Sequence, residues 1–233
     1  MALQIRPHQS TIALDDALAA WVAACLQEGI TKRGRASLVV SGGRTPLGFF
    51  ERLRNTELDW QKVTVTLADE RWVTADDADS NERLVRDHLL IGKASAARFI
   101  PLKFKADTPA EGAQLASSAM NALTSAFDIV ILGMGEDGHT ASLFPGSPQI
   151  SAGLFDASGC ACLATENTSK APRWRITLTA PRLLNAHNIA VHITGAAKWS
   201  LLGEALAGDD LERLPIRFVL NQERVPCHVF WCR

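Results

Sequence analysis

No apolar run in the 233 residues comes near the roughly 20 needed to cross a bilayer. The first ten residues, MALQIRPHQS, have no signal-peptide core, so the expected location is the cytoplasm, off the membrane. Charge of one sign is missing too: Lys plus Arg number 24 against 25 Asp plus Glu, which gives nucleic acid no global field to follow. An anionic ligand must therefore meet a local cluster of cations. Cysteine is sparse and odd in number, five in all, and Cys160-Ala-Cys162 is too tight for a zinc pair. Reduced thiols are expected. The chain has no P-loop, no G-x-G-x-x-G fingerprint and no G-x-S-x-G elbow, so a nucleoside triphosphate, a dinucleotide and a serine nucleophile all lack their usual seats. No second histidine stands at metal-ligand spacing from His139, and neither a metal nor a cofactor is expected. There is no linker, charge-run boundary or internal repeat, and residues 1–233 read as one domain.

What is present alternates. Residues 10–28 carry a helical apolar stripe, capped by Ser10 or Thr11 and ended by Gly29. Ala36–Val40 reads as a buried strand, Pro46 as the first turn of a helix capped by Thr45, and Val63–Leu67 as another strand. Ser80 caps a helix reaching Leu90, Pro101 follows a short edge segment, and Thr108-Pro109-Ala110-Glu111 is a capping box. The run Ile129–Leu132 is β-branched and buried in character. Residues 141–146 suggest a helical turn and 151–160 a loop. Strands follow at 160–165 and 175–179, a short helix at 181–186, a strand at 189–194, a helix after Gly195, and closing strands at 216–220 and 227–231. This pattern predicts an α/β fold, a mostly parallel sheet flanked by helices with its site at the carboxyl edge.

The chemistry collects at those strand ends. After Leu132 come Gly133, Gly135 and Gly138, with Asp137 and His139 on the same turn: an acid and an imidazole on backbone that can approach a ligand closely. After Val40, the turn Ser41-Gly42-Gly43-Arg44-Thr45 opens a helix, where unpaired N–H groups and the helix dipole favour an anion; an ordinary strand-to-helix turn would look the same. Asp69 and Arg71 follow a third strand and suit either catalysis or a plain ion pair. Lys170, Arg173 and Arg175 form a cationic stretch, and Lys198 lies in a helix's first turn, against the dipole unless an anion is present. These groups together suit acid–base chemistry on a small phosphorylated molecule, with His139 activating water and a carboxylate setting its tautomer.

The segments SGGRTP (41–46), DERWV (69–73), SNERLVRDHLL (80–90), GMGEDGHTASLFPGSP (133–148) and PRWRITLT (172–179) resemble the 6-phosphogluconolactonase family, in order and spacing and over most of the chain. The resemblance implies a Rossmann-like fold shared with glucosamine-6-phosphate deaminases. It also implies metal-independent hydrolysis of 6-phospho-D-glucono-1,5-lactone to 6-phosphogluconate in the oxidative pentose phosphate pathway. By position, His139 matches the general base and Asp137 the residue orienting it. Arg71 matches an arginine meeting the substrate's polar groups, with Asp69 beside it. Ser41, Gly42, Gly43 and Thr45 match the loop receiving the phosphate, and Lys170, Arg173 and Lys198 resemble further anion-binding positions. The expected partner is a small phosphosugar lactone, with no nucleic acid or membrane, and the expected state is a monomer or weak homo-oligomer. The deaminases place a glutamate five residues after the histidine; here that position is Phe144, which moves no proton. A non-catalytic sugar-phosphate sensor is the other alternative, but no helix-turn-helix or basic extension is present to serve it.

Overall fold

The computed structural model describes residues 3–123, 125–169 and 171–233. In chain order the elements are β1 (Gln4–His8), α1 (Thr11–Arg33), β2 (Ala36–Val40), α2 (Leu47–Leu53), β3 (Val63–Leu67), β4 (Asp69–Arg71), α3 (Asn81–His88), β5 (Arg98–Ile100) and α4 (Pro109–Asn121). They continue as β6 (Ile129–Leu132), α5 (Ile150–Phe155), β7 (Cys162–Glu166), β8 (Trp174–Leu178), α6 (Ala180–Leu184), β9 (Ile189–Thr194), α7 (Ala196–Leu206), α8 (Arg217–Leu220) and β10 (Cys227–Cys232).

Seven strands form one sheet in the order β1-β10-β9-β6-β2-β3-β5, with every pairing parallel. The central strands are apolar on both sides because helices cover both faces; all four residues of β6 are buried, as are Ile189 to Ile193 of β9. The chain lays β2 near the middle, runs outward through β3 to β5, then returns to the other side of β2 with β6 and continues through β9 to β10. The direction of winding therefore reverses between β2 and β6. At such a reversal the two following connections diverge to opposite faces and leave a crevice beyond the strand ends. Ser41, just past β2, donates its hydroxyl to the carbonyl of Ile131 in β6 at 3.1 Å and ties the two lips together.

Three short strands make a second, antiparallel sheet in the order β4-β8-β7. It is joined to the large sheet through Ala68, whose N–H donates to Val40 O and whose carbonyl accepts from Leu178 N. The strands at 160–165 and 175–179 thus exist but stand outside the parallel sheet, and β4 and β1 were not anticipated; three residues and a half-exposed edge strand carry too little periodicity to be read.

Other expectations are corrected. Gly29 does not end the first helix. It is buried inside α1, which stops at Gly34 in the left-handed region (φ 72°). Residues 216–220 are helical, not a closing strand: Ile216 donates to Gly138 O, and Arg217 reaches the carbonyls of Glu204, Ala205 and Asp210. A short apolar run fits either state, and here Pro215 and the tie to the 138 turn choose helix. The loop expected at 151–160 begins with α5, and 141–146 is a tight turn with Ala141 at φ 49°. Thr45 does not cap α2, whose N-cap is Pro46 with no side-chain bond. The Thr108–Glu111 capping box and the Ser80 cap are present.

Glu70 anchors α3 and with it one wall of the crevice. Its buried carboxyl accepts from the N–H groups of Arg71 (2.7 Å), Asn81 (2.8 Å) and Glu82 (2.6 Å) and from Ser80 Oγ (3.1 Å). Removing it leaves buried amides without acceptors, so Glu70→Ala is expected to cost about 3 kcal/mol in urea unfolding. A loss below about 1 kcal/mol would show that water replaces the carboxyl at no penalty.

Candidate active site

Beyond the ends of β2 and β6 lies a cleft of about 230 Å³. The Ser41–Thr45 turn forms one wall, and Gly133, Gly135 and His139 form another. The small sheet contributes Asp69 and Arg71, which alternate on β4 and so face the same way, and Lys198 closes the side next to β9.

His139 is held at two points. Its Nδ1 lies 2.5 Å from Asp137 Oδ1, and the same oxygen accepts the backbone N–H of His139 at 3.1 Å. The loop beneath is closed by Gly135 N–H to His139 O at 2.8 Å and Gly138 N–H to Gly135 O at 3.1 Å. A side chain at position 135 would put its Cβ 2.1 Å from His139 Nδ1, so the ring's seat exists only over glycine. Phe144 backs the imidazole at a centroid distance of 4.8 Å. Burial works to raise the Asp137 carboxyl, but the side-chain bond and charge of His139, with its backbone N–H, outweigh that and hold it below the ordinary carboxylate value. An anionic Asp137 on Nδ1 fixes the proton there and leaves Nε2 with its lone pair, the form a general base requires.

Gly43 turns the chain at φ 91° and Thr45 lines the cleft with its hydroxyl unused as a cap. Lys198 sits in the first turn of α7 after Gly195 and is half-buried. Burial lowers its pKa and the Glu136 carboxylate works the other way. Asp69 and Arg71 do not pair with each other. Asp69 is buried and accepts from Ser142 Oγ at 2.6 Å, while Arg71 Nη1 donates to the carbonyl of Asp79 and its Nε has no partner. Arg173 is not in the cleft; it is largely exposed and paired with Glu166. Lys170 lies outside the described residues. Among those described, no group of three or more His, Cys, Asp or Glu is placed to hold a metal ion.

Two further residues line the cleft without a motif to mark them. Asn81 looked like a helix-start residue, yet it is buried in the cleft wall, donating to Asp69 O at 2.8 Å with its Oδ1 unpartnered. His192, the lone polar ring in the apolar strand IAVHIT, lines the cleft beside Lys198. Its Nε2 faces Asp15 Oδ1 at 3.7 Å, and neither atom has a hydrogen bond. Burial pushes Asp15 up to about 6, with Arg52 opposing and Asp16 adding to the rise; burial and then Lys198 push His192 down to about 4.

A carboxyl raised in the folded state stabilises the fold below its unfolded value near 3.8 and loses that contribution as pH rises through about 6. Asp15→Asn removes this dependence. The unfolding midpoint of Asp15→Asn relative to wild type is therefore expected to rise between pH 4 and pH 6 and level off above. A difference flat across that window would contradict the burial of this carboxyl as a strained charge.

The molecule has well-matched relatives. A 6-phosphogluconolactonase of Pseudomonas putida is 45% identical over 211 residues, covering 91% of this chain and 85% of its own. One of Rhizobium meliloti is 42% identical over 231 residues, covering 99% of both. The crystal structure of a 6-phosphogluconolactonase from Shewanella baltica superposes with a TM-score of 0.96 at 44% identity, over 99% of this chain and 98% of that one. The family model described as glucosamine-6-phosphate isomerases/6-phosphogluconolactonase matches residues 9–231. With nearly its whole length matched, the chain belongs to the family of glucosamine-6-phosphate isomerases and 6-phosphogluconolactonases.

Proposed function

We propose that this protein hydrolyses 6-phospho-D-glucono-1,5-lactone to 6-phospho-D-gluconate, the second step of the oxidative pentose phosphate pathway, with water activated by His139. The observation that carries the reading is the Asp137–His139 pair, bonded through Nδ1, beside a cleft that the Ser41–Thr45 turn and Lys198 also line. The reading takes the chain to act as a single domain in the cytoplasm, monomeric or weakly associated and without a cofactor. Among the described residues no helix is long and apolar enough to cross a membrane.

The substrate's phosphate docks on Ser41, Gly42, Gly43 and Thr45 with Lys198, and the lactone carbonyl carbon C1 lies near His139. Asp69 and Arg71 meet the sugar's polar groups between the two ends. His139 Nε2 takes a proton from water as the water oxygen bonds to C1, and the carbonyl becomes a tetrahedral oxyanion. Backbone N–H groups of the glycine turn and the Arg71 guanidinium stabilise that charge. Collapse breaks the bond from C1 to the ring oxygen, which receives the proton from His139, and the ring opens to the carboxylic acid. Asp137 keeps the proton on Nδ1 and balances the imidazolium between the two transfers.

The deaminase reaction fits less well. Phe144 stands five residues after His139, is nearly buried and supplies no second acid to open a sugar ring. A lactone needs none, because its acyl carbon is already electrophilic. Arg173, on the exposed side and paired with Glu166, is not part of this scheme.

Hydrolysis of freshly prepared 6-phosphogluconolactone, coupled to 6-phosphogluconate dehydrogenase with the spontaneous rate subtracted, tests the assignment. General-base catalysis contributes about 10²–10⁴-fold, so His139→Ala is expected to lose kcat by that range and largely keep substrate binding. Arg71→Ala is expected to raise KM as well. Near-normal turnover in His139→Ala would remove His139 as the base; ammonia release from glucosamine 6-phosphate by the wild type would favour the deaminase instead.

A further inference from the structure

His192 and Asp15 have no task in the scheme above, yet they are built into the floor of the same cleft. His192 is only 3% exposed and still lines the cavity beside Lys198. The Phe49 ring stands edge-on to it at 6.3 Å, so the imidazole is confined. Its Nε2 and Asp15 Oδ1 are both sealed from solvent and both without a hydrogen bond, and Nδ1 has no partner among the described residues. Folded proteins leave few buried polar atoms in this condition, since each forfeits its hydration without compensation. The 3.7 Å separation is about 0.7 Å longer than a normal N–H···O bond, within reach of a small ring rotation.

The charges around the ring set how readily it takes a second proton. From α7 the Lys198 ammonium disfavours a proton on His192; from α1 an ionised Asp15 carboxylate, 3.7 Å away, favours one by proximity. Asp15 itself is pushed up by burial, opposed by Arg52 of α2 and pushed up further by Asp16. A dianion arriving at Lys198 reverses the balance, because it neutralises the ammonium's field and adds its own attraction. The ring can then carry a proton on each nitrogen, one directed back to Asp15 and one forward to the anion, both charge-assisted.

We propose that His192 is a further ligand-binding residue of the cleft, donating a hydrogen bond to the phosphoryl oxygens of the bound substrate, and that Asp15 behind it is the positioning residue that holds the ring. The ligand's identity as a phosphosugar rests on the functional reading above; the anion contact itself does not. Binding of a phosphate dianion then brings a proton into the Asp15–His192 pair.

Inorganic phosphate is the probe. Titrated into wild type with ¹⁵N-labelled histidine at pH 7.5, it is expected to move both His192 ring nitrogens toward their imidazolium positions. In His192→Gln the phosphate dissociation constant is expected to rise about tenfold, the loss of one charge-assisted bond, and in Asp15→Asn the His192 signals should respond less. Ring nitrogens that stay put while phosphate binds, an affinity within about twofold in His192→Gln, or no phosphate binding by wild type would each overturn the proposal. Should His192→Gln not fold, the wild-type spectrum decides alone. Lactone turnover on the same samples separates the two claims: a shifted ring without turnover keeps His192 and discards the lactonase reading, and turnover with an unmoved ring does the reverse.

Discussion

A histidine pressed onto a bare stretch of backbone sets the shape of this molecule's cleft. The His139 ring occupies the space where residue 135 would carry its first side-chain atom, and that close approach lets Asp137, two residues away, hold Nδ1 while Nε2 looks into the cleft. The turn is braced from outside by Ile216, whose N–H meets Gly138 O, and from behind by Phe144. The residues 216–220 therefore do their work as a helix end and not as a strand, and Phe144 replaces an acid with a wall.

The second constraint is the reversal of the sheet between β2 and β6. It supplies a crevice whose lips are strand-to-helix turns, one bearing the glycine loop and the other the histidine. A parallel sheet by itself offers backbone amides and little else at such a place. The small antiparallel sheet adds the missing polarity: β4 carries Asp69 and Arg71 inward, and Glu70 between them points the other way to cap α3. Alternation along three residues thus gives one strand two faces, one lining the cleft and one bracing α3.

Much of this was legible in the chain. The parallel α/β class followed from strands that are apolar throughout and alternate with helices, and the core of the site from Gly133, Gly135, Gly138, Asp137 and His139 packed behind one of them. Ser41 to Thr45, Asp69, Arg71 and Lys198 do line a common cleft with His139. Arg173 does not, because sequence proximity to other cations cannot say which of them the loop before β8 turns outward. Asn81 and His192 were passed over for a related reason. Each is a single polar residue inside a segment whose secondary structure explains it well enough, and only the third dimension brings them to the cleft. The split into two sheets was also hidden, since a strand's pattern does not name its neighbours.

The central claim, carried by the proposed function, is that one cleft reads two groups of its ligand, a phosphate by the glycine turn and Lys198 and an acyl carbon by His139. The most direct test compares kcat/KM for 6-phosphogluconolactone and for gluconolactone lacking the phosphate, in wild type and in His139→Ala. Binding energy from a remote group is spent at the reacting centre, so loss of the phosphate is expected to lower kcat/KM by about 10³-fold or more in wild type, and His139→Ala to lower turnover of both lactones. Equal handling of the two lactones by the wild type would contradict the account.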